Sequence, residues 1–273
     1  MPAVPAIDLV VTDLDGTLWH TDDHVHDDVV TTMAKVTELG VPLLVATGRR
    51  VTSTRVPLER IGLAPPAVVL NGALGLDLAT GGRFHRAPFG TERAVAVLDA
   101  FSTVGLDPVV YVDHPRYDMF LSTTPSTHPQ HVQLLADTAG TDDLARVVAE
   151  EVTLGFGIVG VPHRDGVAAR DAIGGLAGTY LDRSLDHPGT VAFMAAPAGV
   201  SKWEGVLAFC AARRLDPRRV LAVADGPNDI ELLDNAAVRL VPEIAHPAAL
   251  DRADHLIAAA ANGGWTAVLD HLT

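Results

Sequence analysis

Residues 7–12, IDLVVT, form a short β-branched apolar run that breaks at Asp13, and residues 41–46, VPLLVA, form a second run that breaks at Thr47. Runs of this length with no polar alternation predict strands buried on both faces, as in a parallel sheet. Between them, HDDVVTTMAKVTELG carries acids at its start, apolar positions at helical spacing and Gly40 at its end, so a helix is predicted there. A helix near 51–61 and a third strand at 67–70, AVVL, ending at Asn71-Gly72, continue the alternation.

The same pattern resumes near residue 200. SKWEGVLAFCAARRL predicts a helix, VLAVA at 220–224 a strand ending at Asp225, NDIELLDNA a helix, VRLV a strand and GGWTAVLDHL a closing helix. Alternating units of this kind predict an α/β fold built on a doubly wound parallel sheet, whose ligands collect at the carboxyl ends of the strands. The stretch from about 80 to 195 has a different texture. PVVYVDH, RYDMFLST, VTLGFGIVGV and TVAFMAA read as strands joined by turns and short helices such as DDLARVVAEE, which predicts a separate α+β unit inserted in the first. The expected division is 1–78 with 197–273 for the α/β core and 79–196 for the insertion.

At 273 residues, one large or two moderate domains are expected, and 48% apolar with 20% charged residues is enough to build a sizeable core. A formal charge of −14 disfavours a nucleic-acid partner, because phosphate backbones select for clustered Lys and Arg. The single cysteine, Cys210, sits in the apolar LAFCAA and is read as a core residue of a protein in a reducing compartment. MPAVPAIDLVV has no basic region before its apolar residues and does not read as a signal peptide, and no apolar run approaches the roughly 20 residues of a membrane helix. A cytoplasmic protein without membrane contact is expected.

Polar residues stand where four predicted strands end: Asp13 and Asp15 in TDLDGTLW, Thr47 in ATGR, Asn71 in NGA, and Asp225 with Asp229 in ADGPND. In a parallel sheet these ends share one edge, so residues distant in sequence meet in one crevice. Gly16 lets the chain turn after Asp15, so the two acids of Asp-x-Asp face different ways. Gathering Asp13, Asp15, Asp225 and Asp229 without compensation is prohibitive, since close carboxylates cannot all stay ionised. An all-oxygen set of this kind suits Mg²⁺. Lys202, opening a helix, supplies a second cation, and Thr47 and backbone N–H groups supply donors for an anionic substrate group.

DLDGT, TGR, a Lys before a helix and DGPND, in this order, resemble the four motifs of the haloacid dehalogenase superfamily, and an insertion between the second and third motifs resembles its subgroup with a type IIB cap, the Cof-like phosphatases. The resemblance implies a Rossmann-like catalytic core and a cap that sets substrate specificity. It implies Asp13 as the nucleophile that forms an aspartyl-phosphate, with Asp15 as general acid and then base. Thr47 and Lys202 would hold the phosphoryl group, while Asp13, the backbone carbonyl of Asp15 and Asp225 would hold Mg²⁺. Asn228 and Asp229 would orient Lys202 and metal-bound water, and Gly48, Arg49 and Asn71 would lie near the substrate. The implied reaction is hydrolysis of a small phosphorylated metabolite, a sugar phosphate above all, by a monomer or homodimer. A mutase or phosphotransferase using the same nucleophile, and a phosphate-binding module whose catalysis has decayed, are the competing readings. Two departures stand out: Ala224 replaces the usual Gly before the metal-binding Asp, and VRLVPEIAHP lacks the Met-Gly-Asn-Ala run of the subgroup.

Other features have simpler readings. GFGIVG at 155–160 matches the glycine pattern of dinucleotide sites, but Pro162 and HRDG follow where a helix should open at once, so a Gly-rich strand is expected. HTDDHVHDD at 20–28 offers His24 and His26 as metal ligands, yet acids there also suit a solvated flap leading into a helix N-terminus. His114, Arg116, Tyr117 and Asp118 lie in a polar turn that is either an exposed hairpin or a substrate-reading element.

Overall fold

The computed structural model describes residues 6–20, 23–122, 139–183 and 189–272. Contacts divide the chain into two units, one of residues 1–49, 53–86 and 201–273, the other of residues 50–52 and 87–200.

Among the described residues, the first unit holds an eight-stranded sheet in the order β14-β13-β12-β1-β2-β3-β4-β5. Its strands are β1 (Leu9–Thr12), β2 (Leu43–Ala46), β3 (Pro66–Val69), β4 (Leu74–Asp77), β5 (Arg83–Arg86), β12 (Val220–Val223), β13 (Val238–Pro242) and β14 (His255–Ile257). The six from β14 to β3 run parallel, while β4 and β5 add an antiparallel hairpin at one edge. The chain winds outward from β1 through β2 and β3, then returns to pair β12 with the other side of β1 and winds outward again. The strand order therefore reverses between β1 and β12, and a crevice at such a switch point is where open α/β sheets bind ligands.

Helices α1 (Asp27–Glu38), α2 (Val51–Arg60) and α6 (Lys202–Arg213) belong to this winding. Packing is driven by the apolar faces the sequence predicts: Leu9, Val11, Leu44, Ala46, Val68, Val220 and Ala222 meet Trp203, Val206, Phe209 and Cys210 of α6 in one core. Gly205 is needed there because a Cβ would come within 2.4 Å of Val68. The hairpin carries the first unit through Arg86, past residue 78, because Leu74–Asp77 pairs with β3 and Arg83–Arg86 pairs with β4. The closing segment, Gly264–His271, is 3₁₀ rather than α-helical; it buries Trp265, whose Nε1 donates to Thr12 Oγ1 at 3.0 Å.

The second unit holds a six-stranded sheet among the described residues, β10-β11-β9-β6-β7-β8. These strands are β6 (Val109–Val112), β7 (Met119–Ser122), β8 (Gly140–Asp142), β9 (Thr153–Val161), β10 (Gly178–Arg183) and β11 (Val191–Ala196). Neighbours are antiparallel except β7 and β8. Helices α3 (Thr91–Thr103), α4 (Leu144–Glu150) and α5 (His163–Ile173) bury Val97, Phe101, Val147, Ala169 and Ile173 against it. The rings of Phe101 and Phe193 meet edge to face at 5.9 Å, a geometry that adds about 1 kcal/mol to the area they bury.

GFGIVG lies inside β9, a nine-residue strand that pairs on both sides. At Gly157 a Cβ would come within 2.7 Å of the Tyr111 hydroxyl, so the glycine is there to admit a cross-strand ring.

Candidate active site

The register of β1 against β12 sets the site. Thr12 pairs with Val223 and the Asp13 N–H donates to Val223 O at 2.9 Å, so Asp13 and Asp225 both leave the sheet at the switch point. After Asp13 the chain turns on Leu14, whose carbonyl accepts from the N–H groups of Thr17, Leu18 and Trp19. Gly16 makes the turn with φ 78°, and a Cβ there would come within 2.3 Å of Asp225 Oδ2. Glycine is thus required twice over, for the left-handed backbone and for the approach of the second acid.

Asp13, Asp225 and Asp229 place one carboxylate oxygen each within 4.8 Å of one another. Lys202 lies among them, 1% exposed, its Nζ 2.6 Å from Asp229 Oδ1 and 3.0 Å from Asp13 Oδ1. Ser201 caps the helix that begins with this lysine, accepting from the Glu204 N–H. Asp229 also accepts from the Gly226 N–H at 2.9 Å, and Asp225 accepts from Thr17 Oγ1 at 2.6 Å. Asp13 Oδ1 is buried and, although close to the ammonium, receives no aligned hydrogen bond.

The electrostatics follow from this crowding. Burial raises the Asp13 carboxyl well above the usual range, Lys202 pulling it down and Asp229, Asp225 and Asp15 pushing it up. Asp225 is pushed up to about 7, chiefly by burial and then by Asp229, against the Thr17 hydrogen bond and Lys202. Burial alone would lower Lys202, but Asp13 and Asp229 outweigh it and hold the ammonium charged.

Three carboxyl groups around one ammonium in a desolvated place cannot all ionise without a further cation. A hard divalent cation with oxygen ligands fits that donor set and supplies that charge.

Thr47 follows β2 and is 1% exposed. Its N–H donates to Val68 O, its carbonyl accepts from the Asn71 N–H, and its Oγ1 accepts from the Arg49 N–H at 3.1 Å. Leu70 and Asn71 both adopt φ 53°, a conformation that costs about 1–3 kcal/mol in a non-glycine residue and is kept where the surroundings dictate it. Asn71 Oδ1 accepts from Asn228 Nδ2 at 2.8 Å, and Gly48 lies against the Asn71 amide. At Gly72 a Cβ would come within 2.0 Å of Ser201 O, so this glycine lets the end of β3 approach the start of α6. Asp13, Thr47, Gly48, Asn71, Lys202, Asp225, Asn228 and Asp229 are thereby brought to one edge.

Asp15 and Arg49 pair with each other beside this cluster. The Asp15 carboxylate is not part of the three-carboxylate cluster; Arg49 grips it with Nε to Oδ2 at 2.7 Å and Nη2 to Oδ1 at 2.5 Å. Arg49, expected near the substrate, turns its nitrogens to Asp15, Asp23 and the Ser53 carbonyl.

The sequence reading passed over Thr17, Trp19, Asp23 and His246. Thr17 stands in the DLDGT motif itself, whereas Asp23 was submerged in an acidic run and is instead an ion-pair partner of Arg49. In the same run, residues 21 and 22 lie outside the described residues, and His26 caps α1 by accepting from the Asp28 N–H. Among the described residues no second trio of ligating side chains lies as close as the first. His246 belongs to the segment that departs from the subgroup pattern; its N–H donates to Asp225 O at 2.9 Å, pinning the backbone of that acid. Asp118, a possible substrate reader, accepts from Arg50 Nη1 at 2.5 Å and from the Thr52 N–H at 2.7 Å, all within the second unit.

A cavity of about 530 Å³ opens at the opposite edge of the first sheet, lined by Met33, Leu43, Leu63, Pro66, Phe209 and the Asp77–Arg213 pair. It holds none of the groups described above. Cys210 is buried, and desolvation followed by Asp216 and Asp8 pushes its thiol up to about 11, an inert setting.

A sheet that reverses at β1 and β12, with acids at both ends, is the architecture of the haloacid dehalogenase fold. The sequence profile of the haloacid dehalogenase-like hydrolases matches residues 10–151 and 167–269, and the chain belongs to that family of enzymes. Over 241 residues it is 23% identical to a phosphoglycolate phosphatase of Methanopyrus kandleri, covering 86% of this chain and 83% of the relative. A glucosyl-3-phosphoglycerate/mannosyl-3-phosphoglycerate phosphatase of Persephonella marina is 29% identical over 65 residues, 24% of each chain, so that match spans about a quarter of the relative's length. Among solved structures, a subclass IIB sugar phosphatase of the superfamily, BT4131, superposes with a TM-score of 0.74 at 16% identity, covering 97% of this chain and 98% of the other. No helix among the described residues is long and apolar enough to cross a membrane.

Proposed function

We propose that the chain is a Mg²⁺-dependent phosphatase that hydrolyses the phosphomonoester of a small metabolite, a sugar phosphate first of all, through an aspartyl-phosphate on Asp13. The observation that carries this reading is the buried cluster of three carboxylates, Asp13, Asp225 and Asp229, that shares the single ammonium of Lys202. A buried carboxylate that shares its cation with two other acids is a costly structural element but a suitable nucleophile once its charge is balanced.

The carboxylates of Asp13 and Asp225 and the backbone carbonyl of Asp15 would hold the ion, with Asp229 and Asn228 behind them. When bound, Mg²⁺ supplies the positive charge that lets an anionic carboxylate approach an anionic phosphate.

In the proposed first step Asp13 attacks phosphorus, the bond to the leaving oxygen breaks, and that oxygen takes a proton from Asp15. In the second step Asp15 accepts a proton from water as the water displaces the phosphoryl group and the bonding pair returns to Asp13. Lys202, the Thr47 hydroxyl, the Gly48 N–H and Asn71 donate to the phosphoryl oxygens, where preorganised donors act most strongly. The names of the relatives support phosphate-ester hydrolysis, and the sugar phosphatase and the glucosyl/mannosyl-phosphoglycerate phosphatase favour a carbohydrate-bearing substrate.

The test is phosphate release from a panel of phosphorylated metabolites with Mg²⁺ and no organic acceptor. Turnover is expected for the wild type and a loss of at least about 10³-fold for Asp13→Asn, the scale seen when a nucleophile is removed. Turnover retained by Asp13→Asn contradicts the mechanism. Transfer only when an alcohol acceptor is added points to a mutase or phosphotransferase, and no turnover on any phosphomonoester to a binding module.

A further inference from the structure

The chain loops back on itself directly after the first acidic motif, and the loop encloses a network apart from the three-carboxylate cluster. The Gly16 N–H donates to Trp19 O at 2.9 Å, and Trp19 pairs in short bridges with Asp15 on one side and Val25 on the other. This holds the indole, 0% exposed, against the carboxylate of Asp15, where Nε1 donates to Oδ1 at 3.1 Å. The Arg49 guanidinium lies 4.9 Å over the same indole and forks onto both oxygens of Asp15. Asp23 takes the outer side of that guanidinium, its Oδ1 2.7 Å from Nη2, and does so from a left-handed backbone with φ 55°. Aspartate is one of the few residues that tolerate that backbone region. Asp15 thus accepts three N–H donors, and the arginine that supplies two of them is itself fixed by a ring face, a second carboxylate and the Ser53 carbonyl at 3.2 Å.

We infer that Trp19 and Asp23 are positioning residues for the proton transfers of Asp15, acting through Arg49, which serves this acid rather than the substrate phosphate. The inference rests on the proposed phosphatase reading and adds to it which residues set the direction of the acid. A carboxylate held by a planar fork and an indole N–H has one orientation: Oδ1 takes two donors and Oδ2 one, so Oδ2 is the oxygen that can release its donor and carry the proton to the leaving group. Without the indole or the outer carboxylate the fork can rotate, and the acid loses its aim while Asp13 keeps its own surroundings.

A role in aiming the acid has a signature that a role in folding lacks. Protonation matters for an alkyl leaving group and hardly at all for p-nitrophenolate, which departs as a stable anion. Trp19→Phe keeps a ring and removes the donor; Asp23→Asn keeps the shape and removes the charge; Arg49→Lys keeps the charge and removes the fork. In single-turnover reactions with Mg²⁺, each variant is expected to slow release of the alcohol from an alkyl phosphate by about tenfold, part of the 10²–10⁴-fold that a placed acid contributes. Release of p-nitrophenol is expected to fall less than about threefold, and Asp15→Asn is expected to show the same split more strongly. Equal slowing of both substrates, or no change in either, in Asp23→Asn and Arg49→Lys variants that unfold at the wild-type urea midpoint overturns this inference alone. A wild-type protein that turns over neither substrate overturns the phosphatase reading, and this inference falls with it.

Discussion

Each unit of the molecule contains a buried cation between chain segments, and the two are balanced differently. In the second unit Arg50, 9% exposed, meets Asp118, 11% exposed, and the other Asp118 oxygen accepts from a backbone N–H. In the first unit Lys202 meets Asp13 and Asp229, with Asp225 beside them, one ammonium among three carboxyl groups. Desolvating an ion pair costs several kcal/mol per ion, and good geometry repays it only when the charges balance. Among the described residues no cluster of carboxylates surrounds the Arg50–Asp118 pair. The Lys202 cluster is complete only with another cation.

Breaking each site distinguishes them. Lys202→Met and Arg50→Met should each lose about 3–5 kcal/mol of stability, the usual result of stranding a buried carboxylate. Urea unfolding with and without Mg²⁺ separates the two: Mg²⁺ should recover part of the loss in Lys202→Met and none in Arg50→Met. Equal recovery in both, or none in either, would remove the contrast.

A smaller perturbation tests how Asp225 is tuned. Thr17→Val removes the hydrogen bond to its Oδ1, and hydrogen bonds to charged groups contribute about 1.5–3 kcal/mol. Mg²⁺ affinity, measured by calorimetry, should fall by about tenfold, the lower end of what partners behind a metal ligand contribute. An unchanged affinity would mean that the threonine serves the turn alone.

The smallest effect is one of pH. Without metal, Asp225 titrates at about 7 in the folded protein against 3.8 for the unperturbed group. Its folded-state pKa is raised, so its contribution to stability is full below about pH 4 and is lost as pH rises through 7. Asp13, also raised, acts in the same direction. Mg²⁺ takes the place of the proton, so the increase in Tm on adding Mg²⁺ should be larger at pH 8 than at pH 5. A larger increase at pH 5 would contradict the assignment of these acids to a cation.

Much of this was legible in the sequence because it depends on short periods. Apolar runs that stop at Asp13, Thr47, Asn71 and near Asp225 mark strand ends, and parallel topology brings those ends to one edge. The β4–β5 hairpin was hidden because its outer strand lies at the sheet edge and reads RFHR, with Arg83 and Arg86 exposed and no apolar run to announce it. Gly75, an apparent strand breaker, is there because the Phe84 ring occupies the space a Cβ would take. The partners of Asp15 were hidden for another reason. Trp19 in TLW looks like core and Asp23 like part of a solvated acidic run; their shared ion, Arg49, arrives from another strand end, and no local period encodes such a meeting.

The crowded acids of the first unit form a cation site built around Asp13 if they bind a metal and their removal abolishes that binding. Calorimetric titration of Mg²⁺ into the wild type and into Asp225→Asn tests it most directly. One saturable site is expected in the wild type, and its loss in the variant. No binding to the wild type, or equal binding to both, would contradict it.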